Sequence, residues 1–305
     1  MSTWKDAAGR KEGTAGYRFG DLSRSLVNKM SGTAAEEVEE AEAARHPLTE
    51  YGLTSRRVSR YGWRRDLPDH RDLWADISHL FGALPAEVDL RPKCPAVYDQ
   101  GALGSCTAHA ISAAVSFDAR REHLVEFAPS RLFIYYNERA LEGSVANDAG
   151  ASLRDGVKVV HKLGVCAEDL WPYDCAKFAE MPPVEAYGAA KAHAARRYYR
   201  VPQHLGHLKG CLAAGFPFVF GFVVLSSFET PDVSQTGKMP MPQAEDKQLG
   251  GHAVCCVGYS DADECFIVRN SWGADWGQAG YFRMPYAYAL NAGLADDFWT
   301  IRWVT

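Results

Sequence analysis

Asp99-Gln100-Gly101-Ala102-Leu103-Gly104-Ser105-Cys106 runs straight into a helical stretch, Thr107–Ala119. Far downstream come Gly251-His252-Ala253-Val254 and then Asn270-Ser271-Trp272-Gly273. A thiol at a helix start, a glutamine six residues before it, a later histidine and a still later asparagine are, in order, the parts of a cysteine-nucleophile acyl-transfer site. Each part answers a separate need. A free thiol, with a pKa of roughly 8.5, is mostly protonated at neutral pH, and a helix N-terminus and a nearby imidazolium both stabilise the thiolate. The Gly104-Ser105 turn sets Cys106 at such a terminus. His252 is backed by an apolar, strand-like run, Ala253–Tyr259, that would hold it rigidly as general base and then general acid. Asn270 would bond the other ring nitrogen and fix the tautomer, with Trp272 shielding that bond from water. Gln100 and the backbone N–H of Cys106 would supply donors for a tetrahedral oxyanion.

At these residues the chain resembles a papain-like cysteine protease, a family whose histidine and asparagine lie about 130–150 residues after the cysteine. Here the separations are 146 residues to His252 and 164 to Asn270. The block Asn270-Ser271-Trp272-Gly273-Ala274-Asp275-Trp276-Gly277-Gln278-Ala279-Gly280-Tyr281 is very close to the family pattern around its asparagine. The resemblance runs from about Leu84 to Thr305 and implies a cysteine peptidase acting on peptide or protein substrates through a thioester and needing no metal or cofactor; endopeptidase is the leading reading, with exopeptidase activity left open.

The departures mark a divergent, microbial-looking branch. Cys106-Thr107-Ala108-His109 stands where the family has Cys-Trp-Ala-Phe, Leu103 where a disulfide cysteine is usual, and Asp148-Ala149-Gly150-Ala151 where Cys-Asn-Gly-Gly is usual. Disulfide support and subsite shape are what these changes affect. By resemblance, Gly150, Ala151 and Ser152 pair with substrate backbone. Leu153, Gly221, Gly251 and Ala253 line substrate pockets together with Trp272. Asp296 or Asp297 near a pocket floor would favour Arg or Lys in the substrate, against the alternative of two solvated acids ahead of a strand.

His109 lies on the same helical face as Cys106; it reads as a structural residue under the helix, because the resemblance assigns the base to His252. Cys255 and Cys256 flank the histidine strand, but successive strand residues face opposite ways and do not converge on one ion. Two other classes stay open: a different Cys–His acyl transferase or amidase, and a non-catalytic peptide-binding effector domain.

Composition describes a folded chain. Charged residues make up 23% and apolar ones 47%, and a formal charge of −5 leaves no basic footprint for nucleic acid. No apolar stretch approaches the ~20 residues that span a bilayer. The N-terminus carries no apolar core of a secretory signal, so the expectation is cytoplasmic residence or export by a non-classical route. Of the eight cysteines, a nucleophilic Cys106 would leave seven, and the reading leans to reduced thiols.

The expected fold class is α+β, with a helical lobe at about 85–200, a β-barrel-like lobe at about 200–305 and the cleft between them. Strands are expected at Phe216–Leu225, Ala253–Tyr259, Cys265–Asn270, Gly280–Met284 and Phe298–Val304. Residues 1–84 show no core pattern. They hold an acidic stretch (Glu36 to Glu42), an arginine-rich run (Arg56 to Arg65) and Tyr17-Arg18-Phe19-Gly20-Asp21-Leu22, which faintly resembles a prosegment motif of the family. They are expected to be a partly disordered leader or an inhibitory prosegment.

Overall fold

The computed structural model describes residues 61–76, 84–124 and 127–302. In chain order the strands are β1 (Trp63–Arg64), β2 (Glu87–Asp89), β3 (Ala151–Ser152), β4 (Arg197–Arg200), β5 (Phe218–Leu225), β6 (Gln248–Ser260), β7 (Cys265–Arg269), β8 (Tyr281–Pro285) and β9 (Ala295–Arg302). The α-helices are α1 (Cys106–Arg121), α2 (Arg131–Glu142), α3 (Leu153–Lys162), α4 (Val184–Ala190), α5 (Leu205–Ala213), α6 (Pro231–Thr236) and α7 (Tyr286–Ala289).

The helical lobe is built on α1, whose residues from Cys106 to Ala119 are all buried. Small side chains (Ala108, Ala110, Ala113, Ala114) let neighbours approach it closely, and Ile111, Val115 and Phe117 fill the gaps. Helix α2 starts where Ser130 Oγ accepts the Phe133 N–H at 3.1 Å and stops at Gly143, held at φ 71°. Buried Arg139 donates to Tyr135 O, Val145 O and Asn147 O, fixing the loop that leads back to the cleft. Asp148 in that loop accepts the Gly104 N–H at 3.0 Å and the Tyr135 hydroxyl. The turn before Cys106 and the segment around Gly150 are therefore tied together.

The second lobe is an antiparallel sheet in the order β4-β9-β5-β6-β7-β8, with β2 also paired to β6. Long apolar β6 is its spine, and Phe218, Phe220, Phe222, Phe228, Phe266, Phe282 and Phe298 form the core on one face. The other face of β6 packs on α1 through Ala253, Cys255 and Val257. That packing brings the Cys106 end of α1 to the His252 end of β6.

The expected α+β, two-lobed architecture is the one observed, with a less clean boundary. Strand β2 comes from the helical half yet extends the sheet at β6. Edge strand β4, with its Arg-Tyr-Tyr-Arg sequence, pairs β9; it carries too little apolar alternation to be read as a strand. Helices α5, α6 and α7 lie within the strand-rich half.

Candidate active site

Cys106 opens α1 and is fully buried. Its Sγ lies 3.4 Å from the Ala253 backbone nitrogen, so β6 closes over the thiol immediately after His252. Burial pushes the thiol up to about 12; N–H groups of Ala253, Gly62 and Thr107 oppose this, and the buried Glu138 carboxyl adds to it. The sequence alone suggested a thiol stabilised as thiolate by the helix terminus. In this state desolvation outweighs that effect.

His252 Nε2 donates to Asn270 Oδ1 at 2.8 Å, which leaves Nδ1 as the nitrogen for proton exchange with a thiol. Asn270 sits one residue beyond β7, and its Oδ1 also accepts the Ser271 N–H at 2.8 Å, so the amide is clamped from its own backbone. Trp272 stacks on the imidazole with centroids 4.7 Å apart and planes inclined by 22°. Phe228 and Trp276 back the indole in turn. The His252–Asn270 bond is thus made in an apolar box, where a hydrogen bond is least weakened by water.

Gln100 is fully buried. Its Nε2 donates to Leu103 O at 2.8 Å, and its Oε1 accepts the Ser271 hydroxyl at 2.7 Å. One Nε2 hydrogen remains for a ligand, beside the Cys106 N–H, which the first turn of a helix leaves without an intrahelical acceptor. The four expected residues therefore converge. A thiol, an imidazole with a fixed tautomer and two adjacent N–H donors are together able to form and break a thioester.

Comparison with known proteins gives the same answer independently. Residues 84–300 match the family described as papain family cysteine protease. The chain belongs to the papain family of cysteine proteases. It is 48% identical over 223 residues to an uncharacterized peptidase C1-like protein of Acanthamoeba polyphaga mimivirus, covering 70% of this chain and 72% of that one. It is 31% identical over 217 residues to a cathepsin B-like protein of Giardia intestinalis, covering 66% and 69%. Among solved structures, xylellain, a cysteine protease from Xylella fastidiosa, superposes with a TM-score of 0.78 at 46% identity, over 83% of this chain and 99% of that one.

In this cysteine peptidase the cleft is filled by the chain itself. β1 pairs in parallel with β3, Trp63 opposite Ala151 and Arg64 opposite Ser152, and the Ala151 N–H donates to Gly62 O at 2.8 Å. The residues expected to pair with substrate backbone, Gly150, Ala151 and Ser152, thus lie along the leader. Gly62 is pressed onto the nucleophile turn: a Cβ at this position would fall 1.6 Å from Gly104 O. Only glycine fits so close a crossing. The Tyr61 ring meets His252 edge-on at 6.2 Å.

The Trp63 indole covers Gly221 and Gly251, whose missing side chains make the room: a Cβ on Gly221 would lie 1.8 Å from the indole ring. Leu153 and Ala253 belong to the same buried cluster. The indole N–H donates to Asp297 Oδ2 at 3.1 Å, and the Asp66 N–H reaches the same oxygen at 2.8 Å. Asp66 in turn accepts from Trp299 Nε1 and from the Arg154 backbone. Burial and the nearby Asp66 push the Asp297 carboxyl up to about 7, although Arg200 donates to its Oδ1 at 2.8 Å.

Of the two acids, Asp297 is the one buried beneath the Trp63 indole. Asp296 lies at the partly exposed rim, against Arg65 and Arg200. A register shift between β5 and β9 and a positive φ of 58° at Asp297 break the alternation of β9, turning consecutive acids to different environments. Within residues 61–76 the leader packs on the body through buried Trp63 and Ala75, while Arg64 and Arg65 of the arginine-rich run are exposed. The motifs around Tyr17 and Glu36–Glu42, and Arg56–Arg60, lie outside the described residues. Sequence reasoning also missed Asp148, Arg139 and Glu138; only Gly62-Trp63, an apolar pair inside a run of arginines, carried a visible signal. All eight cysteines are free thiols.

Proposed function

We propose that Cys106 is the nucleophile of an endopeptidase whose cleft is held shut by its own residues Tyr61–Asp66. The His252 Nε2–Asn270 Oδ1 bond, made one residue before the Ala253 N–H that contacts the Cys106 thiol, is the observation that carries the catalytic half. In the reaction the Cys106 sulfur attacks the substrate carbonyl carbon while its proton passes to His252 Nδ1. The oxyanion is held by the Cys106 N–H and the free Nε2 hydrogen of Gln100. His252 then protonates the leaving amine, and the C–N bond breaks to leave a thioester. Water gives a proton to His252 and attacks the thioester; the acid product departs, and His252 returns the proton to the sulfur.

The path of the leader, paired in parallel with β3, supports self-inhibition. The Gly62 N–H is directed at the Cys106 sulfur, and the Gly62 carbonyl is taken by Ala151. In a trans peptide the preceding carbonyl oxygen points away from that N–H, so the thiol meets a peptide edge and not the face of a carbonyl carbon. A chain that enters beside His252, crosses the thiol and leaves past Trp299 also supports a groove open at both ends, as an endopeptidase needs. The pocket now holding Trp63 would take a large substrate side chain carrying an N–H donor for Asp297.

The test is hydrolysis of fluorogenic peptides blocked at both termini, by the full-length chain and its Trp63→Ala variant, each with a Cys106→Ala control. Cleavage by Trp63→Ala that vanishes with Cys106→Ala is the expected result. Cleavage that survives Cys106→Ala would remove the nucleophile assignment, and activity only on unblocked termini would make the enzyme an exopeptidase.

A further inference from the structure

Beneath the catalytic pair lies a cavity of ≈ 10 Å³, lined by His109, Ala110, Ala113, Ala253 and Asn270 among others. Two of these residues each carry a buried polar atom, His109 Nε2 and Asn270 Nδ2, with no hydrogen-bond partner among the described residues. Their residues are only 1% and 2% exposed, and a buried polar group left unpaired costs about 1–3 kcal/mol.

The two atoms are chemically complementary. His109 Nδ1 is 2.9 Å from Ser105 O, a carbonyl that only accepts, so the ring proton is on Nδ1 and Nε2 is a bare acceptor. Burial, with the nearby Arg131 and Arg269 cations, depresses the ring's pKa to about 3, so it stays neutral. Asn270 Oδ1 already accepts from His252 and from the Ser271 N–H, which leaves Nδ2, with hydrogens to give, as the end of the amide still to be satisfied. The volume suits one water and no larger guest.

We propose that a single buried water bridges Asn270 Nδ2 to His109 Nε2, and that His109 is thereby a positioning residue for Asn270. The water accepts from the Asn270 amide and donates to His109, which donates to the carbonyl of Ser105, the residue immediately before Cys106. Ser105 Oγ bonds the Tyr173 hydroxyl at 2.6 Å, and that hydroxyl lies 2.7 Å from Gln100 O. Gln100 Oε1 takes the Ser271 hydroxyl, adjacent to Asn270. A ring of hydrogen bonds thus joins the residue that orients the histidine to the residues that hold the oxyanion, and the water is its closing link. The inference rests on the role proposed above for Asn270.

Two measurements test it. In a high-resolution crystal structure of the full-length chain, an ordered water within about 3.2 Å of both atoms is expected; a dry cavity overturns the proposal, whatever the enzyme's activity. In the Trp63→Ala full-length background, His109→Phe replaces the acceptor with carbon. It should lower kcat about tenfold, the scale of one buried hydrogen bond, leave KM unchanged and move the alkaline limb of the pH–rate profile to lower pH. His109→Gln, whose side-chain oxygen can stand near the place of Nε2, should recover most of that loss. A His109→Phe protein with the parent's kcat and pH profile, or a Gln variant no better than Phe, would reduce His109 to a packing residue. Failure of the underlying catalytic reading looks different: the Trp63→Ala parent itself would be inert or insensitive to Cys106→Ala, and the crystallographic result would still decide the water.

Discussion

The indole N–H of Trp63 donates to Asp297 Oδ2 at 3.1 Å, joining a residue of the leader to a fully buried carboxyl at the floor of a cleft pocket. The bond spans 234 positions of sequence and, in the function proposed above, is made where a substrate side chain would sit. The self-inhibition proposed above therefore predicts that opening of the cleft depends on Trp63.

Truncating a buried tryptophan typically costs about 3–5 kcal/mol. In the full-length chain Trp63→Ala removes that stabilisation from the closed state alone. Initial rates on a fluorogenic peptide should rise by about 10²-fold or more over wild type. An unchanged rate would place the hold on the leader elsewhere, in the Asp66 and Arg154 contacts.

Gln100→Ala should reduce kcat by about 10²–10³-fold in the opened enzyme, the usual cost of one oxyanion donor. KM should change little, because the lost bond forms with the tetrahedral oxygen and not with the ground-state carbonyl. Steady-state kinetics separate the two quantities.

With the leader displaced, Asp297 is left without the Trp63 N–H. Substrates with Lys, Arg or Trp in that pocket should be cut faster than those with Leu, and Asp297→Asn should narrow the Lys-to-Leu ratio of kcat/KM about tenfold. A positional-scanning library read for wild-type and Asn enzymes gives the comparison; an identical profile would deny Asp297 contact with substrate.

Glu138, fully buried, accepts the Thr107 hydroxyl at 2.5 Å beneath the nucleophile helix. Burial pushes its carboxyl up to about 8. Because the folded-state value exceeds the ordinary one, the folded chain holds an extra proton between about pH 4.5 and 8. Stability is then fully present at the acid end of that range and falls as pH rises through it, by up to about 1.4 kcal/mol per unit. Urea unfolding of the Cys106→Ala protein at pH 5 and pH 7.5 should show this loss, and Glu138→Gln should flatten it. Equal slopes in both proteins would mean that Glu138 stays ionised.

That Cys106, Gln100, His252 and Asn270 would come together was legible in the sequence because each is tied to a local signal: a glycine-bounded helix start, an apolar strand and a distinctive Asn-Ser-Trp-Gly turn. The two-lobed α+β arrangement followed from the switch between helical and strand periodicities. What stayed hidden depends on long-range contact. Gly62 and Trp63 sit among arginines whose charge suggested solvent, and only Gly221, Gly251 and Asp297, far along the chain, give them a burial site. Asp296 and Asp297 are neighbours in sequence, and the φ of 58° that separates their surroundings has no signature in two consecutive aspartates. His109 was visible as a departure from the family's phenylalanine, yet its relation to Asn270 required the two lobes to be brought together.

In the self-inhibited state proposed above, the leader belongs to the same polypeptide as the cleft, joined to it through residues 77–83. Its occupancy is accordingly governed by an effective local concentration, in the millimolar range for a short tether, and is indifferent to how much enzyme is present. A single cut in that joining stretch changes the order of the process without altering one contact. The same segment would become a dissociable ligand, and dilution alone, with no chemical signal, would then empty the groove.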